Sequence, residues 1–220
     1  MKTLILLTAL CLTLAGPALA EEQHQHRRPD DIKQYLEHLD STERDRYQKP
    51  FEVIEALRLK PGMAVADLGS GSGYFTRRFI EAVTETGMVY AVDVEPEMLA
   101  YAKESVIHMH TAYTAEFILA QPDNPKLPFE SVDLLFVCNT IHHLENRSKY
   151  FSDLKSSLKP GARIAIIDFY PDERSGDLGF PKHHLVSRDT IVQEMAAAGY
   201  QLAREHSFLP KQYFLEFVAK

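Results

Sequence analysis

From Ala64 onward, short apolar runs alternate with segments whose apolar residues recur every three or four positions. Ala64–Leu68, Met88–Val92, Glu116–Ala120, Asp133–Cys138 and Arg163–Phe169 read as strands, the last nearly all apolar, as suits a strand covered by helices on both faces. Tyr74–Thr84 puts Phe75, Phe79, Ile80 and Val83 on one side of a helix. A second helix, begun by Pro96, carries Met98, Leu99 and Ala102. Arg147–Leu158 and Arg188–Ala198 are further helices, the latter broken by Gly199, and Gln201–Phe208 and Tyr213–Ala219 close the chain as a pair of strands. Lys60-Pro61-Gly62 and Lys159-Pro160-Gly161 read as turns. Ahead of the first strand, Asp30–Asp40 groups Ile32, Tyr35, Leu36 and Leu39, and Pro50–Leu57 groups Phe51, Ile54 and Leu57, both at helical spacing. Ser105–Thr114 has no readable pattern. Strands alternating with helices predict one α/β domain, doubly wound around a mostly parallel sheet.

The amino terminus follows a different rule. Met1-Lys2 is a short positive start, Leu4–Leu14 is apolar, and Ala18-Leu19-Ala20 precedes acidic Glu21-Glu22. This is the pattern of a secretory leader cleaved after Ala20, with an uncleaved anchor as the alternative, and the cleaved form is expected in the periplasm or outside the cell. The apolar run falls short of the roughly 20 residues that span a bilayer, and no later segment is long and apolar enough. Leu10 before Cys11 is too bulky for a lipoprotein processing site. The expected organisation is therefore a leader at 1–20, an N-terminal helical extension at 21–60 and the α/β domain at 61–220. Two cysteines are present and only Cys138 lies outside the leader, so the domain has no internal disulfide and no thiolate cluster for zinc. The net charge of −7 leaves no broad basic surface, and no nucleic-acid partner is expected.

Candidate chemistry concentrates in Val65–Thr76, VADLGSGSGYFT. A strand ending in Asp67 runs into a turn with Gly69, Gly71 and Gly73, and a helix follows. Such glycines let the backbone approach a ligand closely, and the helix start presents unbonded N–H groups at the same place. Tyr74 stands where a nicotinamide fingerprint needs its third glycine, which disfavours a dehydrogenase. The spacing D-x-G-x-G-x-G resembles motif I of the class I S-adenosylmethionine-dependent methyltransferases. The order of elements resembles that family's fold as well, a seven-stranded sheet whose last strand is antiparallel. More narrowly, the chain resembles the branch of ubiquinone and menaquinone biosynthesis methyltransferases.

The resemblance implies that Asp67, Gly69, Ser70, Gly71 and Gly73 hold the methionine end of S-adenosylmethionine. AVDVEPEML (Ala91–Leu99) matches the family's acidic motif, with Asp93 placed to accept bonds from both ribose hydroxyls or to cap the helix after it. By similarity, Val94 and Met98 lie against the adenine, Asp123 receives its amino group, and Asn124 offers the ring a backbone N–H. Pro122, Asn124 and Pro125 depart from the family's small residues there.

Beyond the fourth strand come Asn139, Thr140, His142 and His143, at the end of the sheet where ligands of open α/β folds sit. The loop 170–187 carries a second pair, His183 and His184. Asn139 is a candidate for both cofactor and acceptor contacts. Three readings of the histidines stay open. In one, His142 or His143 and His183 or His184 surround the acceptor and one of them removes its proton, with His143 preferred over His142 for its place nearest the next helix. Alternatively, they hold a metal with Asp168 or Asp172, or they are structural. The function implied is transfer of a methyl group to a small-molecule acceptor. Arsenite-type members are disfavoured by the lack of cysteines. Since S-adenosylmethionine is made in the cytoplasm, export raises an alternative: a non-catalytic binding protein on the same fold that captures a nucleoside-like ligand or a metal.

Overall fold

The computed structural model describes residues 32–109, 114–177 and 182–220. The expected leader and polar stretch up to Asp31 lie outside them, as do Gly179 and Pro181 of the second histidine loop. Three short helices come first: α1 (Ile32–Leu39), α2 (Thr42–Gln48) and α3 (Pro50–Leu57). Then follow β1 (Ala64–Leu68), α4 (Tyr74–Val83), β2 (Met88–Asp93), α5 (Pro96–Ile107), β3 (Ala115–Leu119) and β4 (Val132–Cys138). The remainder is α6 (Arg147–Leu154), β5 (Leu158–Phe169), α7 (Arg188–Ala197), β6 (Tyr200–His206) and β7 (Gln212–Ala219).

The strands form one sheet in the order β3-β2-β1-β4-β5-β7-β6. All neighbours up to β5 are parallel, and β7 runs antiparallel to both β5 and β6. The strand order reverses between β1 and β4, which creates a crevice at their carboxyl ends.

Successive side chains of each strand point to opposite faces, and the core divides accordingly. Ala64, Ala66 and Leu68 of β1 join a cluster with Tyr150, Phe151 and Leu154 of α6 and Ile191 and Met195 of α7. Val65 joins the other cluster, with Val53 and Leu57 of α3 and the apolar side of α4. There Phe75 and Phe79 meet Phe136 of β4 at centroid distances of 4.7 and 5.0 Å. Burial of each such ring contributes about 1.5–3 kcal/mol, which fixes α4 and therefore the loop that precedes it.

Three local expectations need correction. The pattern predicts nothing between residues 41 and 49, where the structure has α2. That helix buries Arg44 and Gln48 rather than apolar residues, so it lacks the apolar stripe by which helices are found. The helix expected over Arg147–Leu158 ends at Leu154 and tightens into a 3-10 turn over Lys155–Ser157. Lys159-Pro160-Gly161 falls within the bounds of β5 but is looped out of its ladder. Between the pairs Val132–Leu158 and Leu134–Arg163, β4 advances by two residues (132 to 134) and β5 by five (158 to 163). Gly161, at φ +80°, makes the turn inside that bulge.

Candidate active site

The loop after β1 is pinned from both sides. Gly69 and Ser70 donate their N–H groups to the Val92 carbonyl at the end of β2, at 2.8 and 3.0 Å. Gly69 has φ +75°, and a Cβ there would lie 2.2 Å from Thr140 Oγ1, so the loop packs directly on the chain leaving β4. Gly71, at φ +54°, faces α1 instead, where a Cβ would meet the Leu39 Cδ1 methyl at 3.2 Å. Inside the turn, the Ser70 Oγ is buried with no hydrogen-bond partner.

Two carboxylates flank this loop. Asp67 is buried and accepts a 2.6 Å bond from Thr76 Oγ1 on α4. Burial pushes its carboxyl up to about 6, against the pull of the Thr76 hydroxyl and the Arg44 charge and with a further push from Asp93. Asp93 closes the other side: Oδ2 accepts the Gly71 N–H at 2.8 Å and Oδ1 the Glu95 N–H at 3.0 Å. The ribose candidate is thus tied to the glycine loop and also organises the entry to α5.

Beyond β4, His142 stands on a short 3-10 turn, Ile141–His143. Its Nδ1 lies 2.7 Å from Oδ2 of Asp168, whose side chain is fully buried near the end of β5. With a carboxylate as partner, Nδ1 carries the proton and Nε2 is the ring's acceptor atom. The His143 ring sits 4.2 Å from that of His142 but its residue is exposed. Geometry therefore singles out His142, whereas position in the sequence favoured His143. His183 and His184 are exposed on the turn Lys182–His184. Asp172 pairs with Arg174, and among the described residues no group of three or more His, Cys, Asp or Glu is arranged to hold a metal ion.

Asn139, at φ +55°, is committed to a ring of three amides. Its Nδ2 donates to Gln48 Oε1 at 3.3 Å, Gln48 Nε2 donates to Gln212 Oε1 at 3.1 Å, and Gln212 Nε2 donates to Asn139 Oδ1 at 2.6 Å. This closed ring ties α2 to the ends of β4 and β7. Gln48, Gln212 and Arg44, buried near these strand ends, are residues that the sequence pattern does not single out. A signal for α2 exists in Ser41 followed by Glu43 and Asp45, a helix start with acids in its first turn.

The helical extension is anchored over the site. Asp40, just after α1, accepts from Ser72 Oγ at 2.7 Å, Arg77 Nη2 at 2.8 Å and Tyr101 Oη at 3.2 Å. Two open cavities, of about 290 and 270 Å³, lie away from Gly69, Ser70 and Gly71.

Comparison with known proteins settles what this arrangement belongs to. A family described as a methyltransferase domain matches residues 66–166. An S-adenosylmethionine-dependent methyltransferase from Aquifex aeolicus is 30% identical, with a TM-score of 0.79 over 86% of this chain and 99% of that one. The chain belongs to the S-adenosylmethionine-dependent methyltransferases. A ubiquinone/menaquinone biosynthesis C-methyltransferase of Shewanella pealeana is 26% identical over 117 residues. An arsenite methyltransferase of Halobacterium salinarum is 32% identical over 120 residues. The chain spans 47% of the length of the former relative and 30% of the latter.

S-adenosylmethionine is the cofactor of this methyltransferase, and its residues fit that ligand. The turn at Gly71 is open to close approach apart from one methyl group, and the buried Ser70 hydroxyl lacks a partner. On the side expected to take the adenine, Val94 is half-buried against the core and Met98 is buried on α5. Asp123 is exposed. Asn124 spends its N–H on the Gln121 carbonyl at 3.1 Å, and its side chain accepts from the Lys126 N–H at 2.8 Å. Pro122 and Pro125 fold this segment into a tight turn of its own, which removes the N–H expected to serve the ring.

Proposed function

We propose that this methyltransferase modifies a small-molecule acceptor that loses a proton as it is methylated, with His142 as the base. The observation that carries the proposal is the 2.7 Å contact between His142 Nδ1 and buried Asp168. Asp168 fixes the ring's orientation and tautomer and stabilises the imidazolium formed when Nε2 takes the acceptor's proton. S-adenosylmethionine supplies an already activated methyl group, so the protein's remaining tasks are alignment and exclusion of water. The amide ring of Asn139, Gln48 and Gln212 ties down the chain that leads into the turn carrying His142.

The likeness to ubiquinone/menaquinone enzymes supports an aromatic or quinol-like acceptor. Arsenite is disfavoured, since Cys138 is buried and burial pushes its thiol up to about 12, against the pull of Arg44. We also propose export, on the strength of the leader at residues 1–20; a native protein beginning at Glu21 outside the cytoplasm is the expected finding, and Met1 retained on a cytoplasmic form the contrary one. The alternative of a non-catalytic binding protein has no support.

Calorimetric titration of the purified protein with S-adenosylhomocysteine and NAD tests the cofactor side. The former should bind and the latter should not; the reverse result defeats the reading. Ligand-free Asp67 ionises only above about 6, and the ligand's ammonium group favours its carboxylate. Affinity should therefore weaken as the pH falls from 7 toward 5, with protons released on binding in that window. An affinity flat across it would separate Asp67 from the ligand.

Asp93→Asn should weaken S-adenosylhomocysteine by about 1.5–3 kcal/mol, the range for hydrogen bonds to a charged group. Equal binding of 5′-methylthioadenosine and its 2′,3′-dideoxy analogue to wild type would show that no residue reads the ribose hydroxyls.

A further inference from the structure

Lys211, the residue before β7, is half-buried, and among the described residues its side chain forms no hydrogen bond and no ion pair. The acids of the neighbouring loop are engaged elsewhere: Asp172 pairs with Arg174, and Glu173 lies 3.7 Å from Lys182. A lysine without a partner normally runs its stem along the surface and carries its ammonium out to water. Here the ammonium turns back over the protein. It lies 5.6 Å from the centroid of the Tyr47 ring, and a Cβ on Gly176 would meet it at 3.6 Å. The charge is thus held between α2 and the loop after β5, with an aromatic face as its electrostatic partner.

Its place in the sheet gives this charge a use. β5 and β7 pair Asp168 with Tyr213 and Phe169 with Gln212, so Lys211 stands beside Tyr170, whose N–H donates to the Lys211 carbonyl at 3.2 Å. That is two residues, about 7 Å of strand, beyond the level of Asp168, the partner of His142. Tyr47 closes the same end on the α2 side. Its ring packs 5.6 Å from that of Phe169, and the next residue, Gln48, is tied to Asn139 and Gln212. In the sheet order, β7 lies beyond β4 and β5 from the strands that carry Asp67 and Asp93. A ligand group met by Lys211 therefore belongs to the acceptor and not to the cofactor.

We infer that Lys211 binds an acidic group on the methyl acceptor, with Tyr47 as the aromatic surface beside it, so that the acceptor is an aromatic acid rather than a neutral ring. This rests on the acceptor-side reading given for His142 and narrows it to a substrate class. Both residues lie outside residues 66–166 that match the family. An ammonium on a flexible four-carbon stem can follow a carboxylate into place, and its bond to one is charge-assisted. The half-buried setting strengthens that attraction over an exposed pair, which would contribute little. The acceptor's ring gains from packing on Tyr47.

Calorimetry on the full chain saturated with S-adenosylhomocysteine, with meta-hydroxybenzoate and its uncharged amide as probes, tests the assignment. Wild type should bind the acid about 10-fold more tightly than the amide. Lys211→Met should erase that preference and leave the amide's affinity unchanged. Lys211→Arg should keep most of the preference, and Tyr47→Ala should weaken both probes alike. A wild type that does not prefer the acid overturns the proposal, a result that needs no variant to fold, and so does failure to bind either probe. Equal weakening of acid and amide in Lys211→Met would mean that Lys211 only packs on Tyr47, and overturns it too. The base is judged separately. Turnover of neutral quinols that falls in His142→Ala, with no preference for the acid, would remove the role of Lys211 and keep the base. A preference for the acid with full activity in His142→Ala would do the reverse.

Discussion

His142→Ala should lower methyl transfer by about 10²–10⁴-fold, the usual contribution of a positioned proton acceptor, and leave S-adenosylhomocysteine affinity unchanged. The separation follows from geometry. His142 and Asp168 meet at the ends of β4 and β5, whereas Asp67 and Asp93, the proposed cofactor contacts, stand at the ends of β1 and β2. Asp168→Asn keeps the shape but gives the ring a partner that no longer stabilises imidazolium, so a loss of similar order is expected. His143→Ala, on the exposed neighbour, should change the rate by a few-fold at most. Release of S-adenosylhomocysteine, assayed over a panel of phenolic and quinol-like acceptors, provides the readout. Full activity in His142→Ala would remove the base from the mechanism.

The choice between His142 and His143 shows where sequence stops being informative. Both follow the fourth strand, and nothing local distinguishes them; the decision belongs to Asp168, 26 residues away, which the sequence offered only as a possible metal ligand. The amide ring is likewise invisible along the chain, because Gln48 and Gln212 are separated by 164 residues and neither belongs to a motif. By contrast, the turn that carries Asp67 and the three glycines was legible as a turn, because strand, tight loop and helix start follow one another within a few residues. The sheet was legible for the same reason: most of its strands are apolar enough to declare burial. What failed was the polar inward face of α2, since burial of Arg44 and Gln48 contradicts the apolar rule by which helices are placed. The Asn124 N–H failed differently. Its spacing fits the family, but Pro122 and Pro125 set a turn that keeps the Asn124 N–H for Gln121.

Gly71→Val should abolish S-adenosylhomocysteine binding, read as a loss of about 100-fold or more, equivalent to about 2.7 kcal/mol or more. The side chain would occupy the space through which the ligand approaches the loop, and no charge changes. The variant also carries some strain. A residue with a Cβ at φ +54° costs about 1–2 kcal/mol, and the new atoms press on Leu39, whose methyl is the flexible end of a side chain and can yield. Gly71→Ala should therefore lose only that strain, about 1–2 kcal/mol, and still weaken the ligand. Gly69→Ala is expected to behave in the opposite way. Its Cβ would meet Thr140 at 2.2 Å, so overpacking and backbone strain together should lower stability by about 2–4 kcal/mol. Thr140→Ala in the same chain should recover the overpacking part and leave the strain. Thermal unfolding and calorimetry on the four variants separate the two glycines, one limited by the ligand and the other by the protein's own packing. A stable Gly71→Val protein with unchanged affinity would dissociate the loop from the cofactor altogether.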